Sequence, residues 1–130
     1  MLTDYITAHT VMLPYMMYPK FLLTVPLSET SKLVYIMLLD RARLSIVNAD
    51  YSDSQGRIFV YYPLDDIAAD IDRSRTTVKK ALTALEDNKL ILRVHQGIGQ
   101  ASRIYVKIPH DYKGKNLTVP RTENSLAEDS

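Results

Sequence analysis

The sequence predicts an α+β domain of the winged-helix type, carrying an extended N-terminal arm. Three observations predict it. Apolar periodicity and turn formers succeed one another as helix, strand, helix, turn, helix and hairpin. The link between the second and third helices, around Asp72-Arg73, has the shortness of a helix-turn-helix. Positive charge is also concentrated: residues 1–72 carry 5 basic and 9 acidic side chains, residues 73–107 carry 8 and 2, and residues 108–130 carry 3 and 4. A formal net charge of +1 thus conceals a basic module.

A chain of 130 residues with 46% hydrophobic and 24% charged content suits one globular domain. Without cysteine it needs no disulfide and offers no thiolate to a metal or a nucleophilic mechanism, which fits the cytoplasm. Its longest apolar runs, residues 21–23 and 34–39, fall far short of the roughly 20 residues of a membrane span. No basic residue precedes Lys20, so the charged start of a secretory signal is missing. A cytoplasmic protein with no membrane partner is expected.

Residues 1–27 form the arm. Pro14, Pro19 and Pro26 forbid a long helix there, while Met12, Tyr15, Met16, Met17 and Tyr18 make the segment too apolar to be left in water. It packs either on its own domain or on a second chain, and on the latter reading Tyr15, Met16, Met17 and Tyr18 are the dimerisation residues. The winged-helix domain is assigned to residues 28–109. Ser28 caps a first helix that runs without Gly or Pro to Asn48, with Leu33, Ile36, Met37, Asp40 and Leu44 on one stripe and Val34, Leu38 and Ala42 beside it. A polar turn over 49–56 leads to a strand over 57–62, stopped by Pro63. A short helix over 64–71 turns Leu64, Ile67, Ala68 and Ile71 inward. Ser74 then caps a helix with Val78, Ala81, Leu82 and Leu85 on its apolar face, and Asn88, tolerant of the left-handed conformation, ends it. Residues 90–96 and 103–108 alternate as the strands of a hairpin about residues 97–102. Residues 110–130 read as a flexible linker or tail.

In a helix-turn-helix the second helix enters the major groove and offers its first residues to base edges. With Val78, Leu82 and Leu85 inward, the 100° step puts Thr76, Lys79, Lys80 and Thr83 outward and Arg75 on the flank. Arg and Lys supply donors to phosphate and guanine; Ser and Thr bond phosphates or bases without blocking approach. Any single charged stripe is more often a solvated face. Here, however, Arg73, Arg75, Lys79 and Lys80 fall within a stretch free of acids, after a net acidic segment. The expected interface with double-stranded DNA is therefore Arg73, Ser74, Arg75, Thr76, Thr77, Lys79, Lys80 and Thr83, joined by Arg93, Gln96, Arg103 and Lys107 of the hairpin.

Other chemistry finds little support. Gly97-Ile98-Gly99 lacks its third glycine at Ser102 and precedes a strand where a phosphate loop needs a helix. His9, His95 and His110 have neither zinc spacing nor a triad partner, and Asp65, Asp66, Asp70 and Asp72 read as caps and arginine partners. A non-enzymatic domain without cofactor or metal is expected.

Several segments, taken in order, resemble the N-terminal domain of the RepA_N-type plasmid replication initiators of Gram-positive bacteria. They are Pro19-Lys20-Phe21-Leu22, Ser31-Lys32-Leu33-Val34-Tyr35, Leu39-Asp40-Arg41, Gly56-Arg57-Ile58-Phe59-Val60-Tyr61-Tyr62, Ser74-Arg75-Thr76-Thr77-Val78-Lys79-Lys80, and Gln96-Gly97-Ile98-Gly99 with Arg103-Ile104-Tyr105-Val106. The resemblance implies a winged helix that recognises repeats at a plasmid origin and forms a homodimer. It also implies a linker to a C-terminal domain that engages the replication machinery. This chain departs from the pattern at Asn88-Lys89, where the family often has Gly, and at Ala49-Asp50-Tyr51, where it often has Gly-Trp. The same fold also serves transcriptional regulators and protein–protein contacts.

Overall fold

The computed structural model describes residues 1–48 and 51–110. The expected tail over 110–130 lies outside them save for its first residue, as do Ala49 and Asp50 of the first turn. The elements follow the predicted order: α1 (Glu29–Asn48), β1 (Phe59–Val60), α2 (Leu64–Ile71), α3 (Arg75–Asp87), β2 (Ile91–Val94) and β3 (Arg103–Val106). Helices α1 and α3 pack on an antiparallel sheet with strand order β1-β3-β2, and α2 packs on α1 and α3. Phe59 lies opposite Tyr105 and Val60 opposite Ile104, while Arg93 pairs with Ile104 and Val94 with Arg103.

Ser28 begins α1 as its composition demands, its Oγ accepting the Ser31 backbone N–H at 3.1 Å. The wide inner face of this helix buries the expected Val34, Ile36, Leu38 and Ala42 but is centred to one side of the stripe through Leu33, Met37 and Leu44. Val34, Tyr35 and Leu38 are fully buried and Ala42 and Ser45 nearly so, whereas Leu33 and Met37 are half-buried and Leu44 is 54% exposed. The reason is that α1 is apolar around much of its circumference, so spacing alone cannot locate its inner face. Polar groups on this face find partners, two of them far along the chain. The Tyr35 hydroxyl donates to the Lys107 carbonyl at 2.7 Å, and Ser45 Oγ donates to the Arg41 carbonyl at 3.3 Å. Arg41 lays its guanidinium 3.6 Å from the centroid of the Tyr62 ring and donates to the Tyr61 carbonyl at 2.9 Å. Burial pushes the Tyr35 hydroxyl pKa up to about 12.

The core also reaches back into the expected arm. A 3₁₀ turn, Lys20–Leu23, drives Leu22 into the core with no exposed surface, and Leu27 packs against the same cluster. Before this turn the arm has no helix or strand, only a hydrogen-bonded turn at Thr7–Thr10, and its apolar side chains stay out: Tyr15, Met16, Met17 and Tyr18 are all exposed.

Helices α2 and α3 end alike. Asp72 (φ 55) and Lys89 (φ 64) take the left-handed conformation without being glycine. After each, the next N–H reaches back, Arg73 to the Ala68 carbonyl at 3.0 Å and Leu90 to the Leu85 carbonyl at 2.9 Å. Asn88, expected as the left-handed residue, has φ −90 and sits one position too early. Its side-chain amide donates instead to the Ala84 carbonyl at 2.7 Å, the same carbonyl that accepts its backbone N–H at 3.1 Å, so one residue closes the helix end twice.

Candidate nucleic-acid interface

The tight turn after α2 sets α3 against α1 and α2 through Val78, Ala81, Leu82 and Leu85, all buried. Packing that face leaves Arg75, Thr76, Lys79, Lys80 and Thr83 exposed. Lys79 and Lys80 make no ion pair among the described residues. Lys80 and Thr77 line a shallow groove of about 490 Å³ with Ser28, Thr30 and Ser31 at the start of α1. The cationic face of α3 therefore extends sideways towards a second helix N-terminus, whose free N–H groups favour anions.

Three of the expected contact residues serve the architecture first. The Ser74 hydroxyl caps α3, accepting the Thr77 N–H at 3.2 Å and lying 2.9 Å from the Thr77 hydroxyl. Arg73 donates to the Ile71 and Asp72 carbonyls at 3.1 and 3.2 Å, bracing the turn. Arg75 is bound by Asp65 of α2, but both side chains are well exposed, so the pair is weak and exchangeable for a phosphate.

The hairpin residues divide. Strand alternation turns Arg93 towards the helices, where Glu86 of α3 accepts from its Nε at 3.0 Å, its terminal nitrogen at 2.8 Å and its backbone N–H at 3.1 Å. These hydrogen bonds hold the Glu86 carboxyl below its usual pKa. Arg103 points to the opposite face of the sheet, its guanidinium 4.3 Å from the Phe59 ring centroid. Hydrogen bonding to the Tyr105 and Tyr61 hydroxyls raises its pKa. Gln96 donates across the hairpin to the Ala101 carbonyl at 3.0 Å and to the Tyr61 hydroxyl at 3.1 Å. Lys107 lies at the other end of β3 from the hairpin tip, its N–H bonded to the Leu90 carbonyl at 2.9 Å. The structure thus unites Arg75, Thr76, Lys79, Lys80 and Thr83, and gives Arg93, Gln96 and Arg103 partners within the domain. The Arg93–Glu86 pairing leaves no local sign in the sequence, because a turn and a register decide it.

A groove of about 230 Å³ joins α3 to the hairpin, walled by Leu82, Arg93, Ala101 and Ser102. The groove is completed by Tyr62, Pro63 and Leu64, and meets α3 only at Leu82 of its inner face. The model of the family described as "Replication initiator protein A (RepA) N-terminus" matches residues 14–117. This chain belongs to that family. Solved structures similar to this RepA N-terminus domain agree in fold. "N-Terminal domain of DNA binding protein" has a TM-score of 0.64 at 19% identity, covering 89% of this chain and 98% of that one. "Structure of MDR initiator" has 0.61 at 26%, covering 74% and 78%, and "Structure of Rep-DNA complex" has 0.63 at 21%, covering 91% and 100%. No curated protein sequence matches the chain.

Among the described residues, no helix is long and apolar enough to cross a membrane.

Proposed function

We propose that this RepA N-terminus domain is the sequence-reading module of a plasmid replication initiator, binding double-stranded DNA repeats at the origin from within the cytoplasm. The observation that carries this reading is the exposed face of the first turns of α3, with Arg75, Thr76, Lys79, Lys80 and Thr83 presented together by a tight turn and no acid in the sequence from Arg73 to Leu85. Arg75 and Lys79, near the helix start, read base edges in the major groove; Lys80, beside the start of α1, holds a phosphate. The domain binds and does not catalyse, and needs no cofactor. Support from likeness comes from family membership and from neighbours titled as an initiator and as a Rep–DNA complex.

The exposed apolar arm supports a homodimer, in which Tyr15, Met16, Met17 and Tyr18 bury against a second copy. A linker beyond the winged helix then carries a C-terminal domain to the replication machinery. Nuclease protection across the replicon tests the reading. Protection confined to direct repeats at the origin, and lost when their order of bases is shuffled, is the expected result. Equal protection of shuffled and native repeats would refute repeat recognition, and no protection at all would refute DNA binding.

A further inference from the structure

The tip of the wing carries none of the charge expected of a DNA-contacting loop. From His95 to Ser102 there is no Lys, Arg, Asp or Glu, and the side chain held furthest out is Ile98, with a relative exposure of 105%. Its presentation is built. His95 Nδ1 and the Ser102 hydroxyl lie 2.9 Å apart, Gln96 bonds across to Ala101, and the Gln100 N–H closes the turn on the Gly97 carbonyl at 3.2 Å. Gly97 (φ +135) and Gly99 (φ +78) hold backbone conformations that side-chain-bearing residues rarely adopt, and a Cβ at either would meet nothing within 4 Å. The glycines therefore serve the direction of the turn, and they leave it slim on both sides of Ile98.

A slim loop ending in one stiff, β-branched apolar side chain suits one feature of a duplex. The minor groove is about 6 Å wide, too narrow for a bulky loop, and apolar side chains entering it wedge between base pairs and kink the helix. The hairpin is anchored beside α3, since β2 packs on that helix and Arg93 of β2 bonds Glu86 of α3, so the wing projects from an element fixed to α3 and lies within reach of a duplex seated on it. Resting on the DNA-binding reading above, we infer that Ile98 enters the minor groove beside the α3 site and partly unstacks a flexible pyrimidine–purine step, bending the DNA. The Gly97-Ile98-Gly99 motif is then a wedge and its mount.

The test uses the whole chain and a short duplex selected by it from a random pool. The duplex is end-labelled for energy transfer and carries 2-aminopurine at each pyrimidine–purine step in turn. The parent should shorten the end-to-end distance and raise 2-aminopurine emission at one step. Ile98→Ala, at a site whose side chain touches no core, should abolish both signals and bind about tenfold more weakly, the scale of burying one apolar side chain. Its salt dependence should match the parent's, and Ile98→Leu should keep both signals. A parent that binds while the duplex stays straight and stacked overturns the wedge alone, as does Ile98→Ala with unchanged bend and affinity. A parent that selects no duplex overturns the DNA-binding reading, and the wedge with it.

Discussion

Asp65 and Arg75 face each other across the α2–α3 turn as an exposed pair, so Asp65 competes with DNA for the guanidinium. Asp65→Asn should therefore raise affinity for duplex DNA a few-fold at low salt, with the gain fading as salt rises; fluorescence anisotropy measures both. Lys89 holds its left-handed backbone with strain that glycine would not carry. Lys89→Gly should raise stability by about 1 kcal/mol in urea unfolding, and leave DNA affinity almost unchanged. Asp53 ties its loop to β3. Although partial desolvation raises its pKa, hydrogen bonds from the Arg57 backbone and side chain, the Gln55 N–H and the Tyr105 hydroxyl bring it down from 3.8 to about 2. A depressed folded pKa contributes stability that is fully present above pH 3.8 and is lost as pH falls towards 2. Asp53→Asn should flatten the acid-side decline in that window, followed by circular dichroism; an unaltered decline would assign acid sensitivity elsewhere, Glu86 being next.

At the scale of elements, what the sequence makes legible follows from how local each cause is. Capping by Ser28 and Ser74, the inner faces of α2 and α3 and the hairpin all depend on residues within a turn or two, and these appear where the pattern puts them. Expectations fail where distant partners decide. Strand β1 shrinks from 57–62 to two residues: at one end Ile58 pairs back with Ser52, and at the other Tyr62 is buried against Arg41 with its hydroxyl bonded to Asp70. In the candidate site, α3 is legible from helical spacing alone, whereas the fates of Arg93 and Arg103 depend on which face of β2 and β3 each occupies. Leu22 shows the same limit: three prolines mark its neighbourhood as an arm, yet its side chain completes the core. Leu22→Ala should thus cost about 2–5 kcal/mol in denaturant unfolding, the range for a large buried side chain cut to methyl. A cost below about 0.5 kcal/mol, typical of surface sites, would return the turn to the arm.

For the whole molecule, charge and shape are separated. Apart from Asp65, which pairs with Arg75, the carboxylates of α2 make no ion pair with the cations of α3, so a nearly neutral protein concentrates exposed cations at the start of α3 and carries an exposed apolar wing tip and arm besides. Such an arrangement makes association depend on phosphate neutralisation more than on total charge. The most direct test is the affinity of the parent and of the Lys79→Ala, Lys80→Ala double variant for a selected duplex across a salt series. Log affinity should fall linearly with log salt for the parent, with a slope shallower in the variant by about 1 for each phosphate no longer neutralised. Binding that is indifferent to salt, or identical slopes for the two proteins, would contradict it.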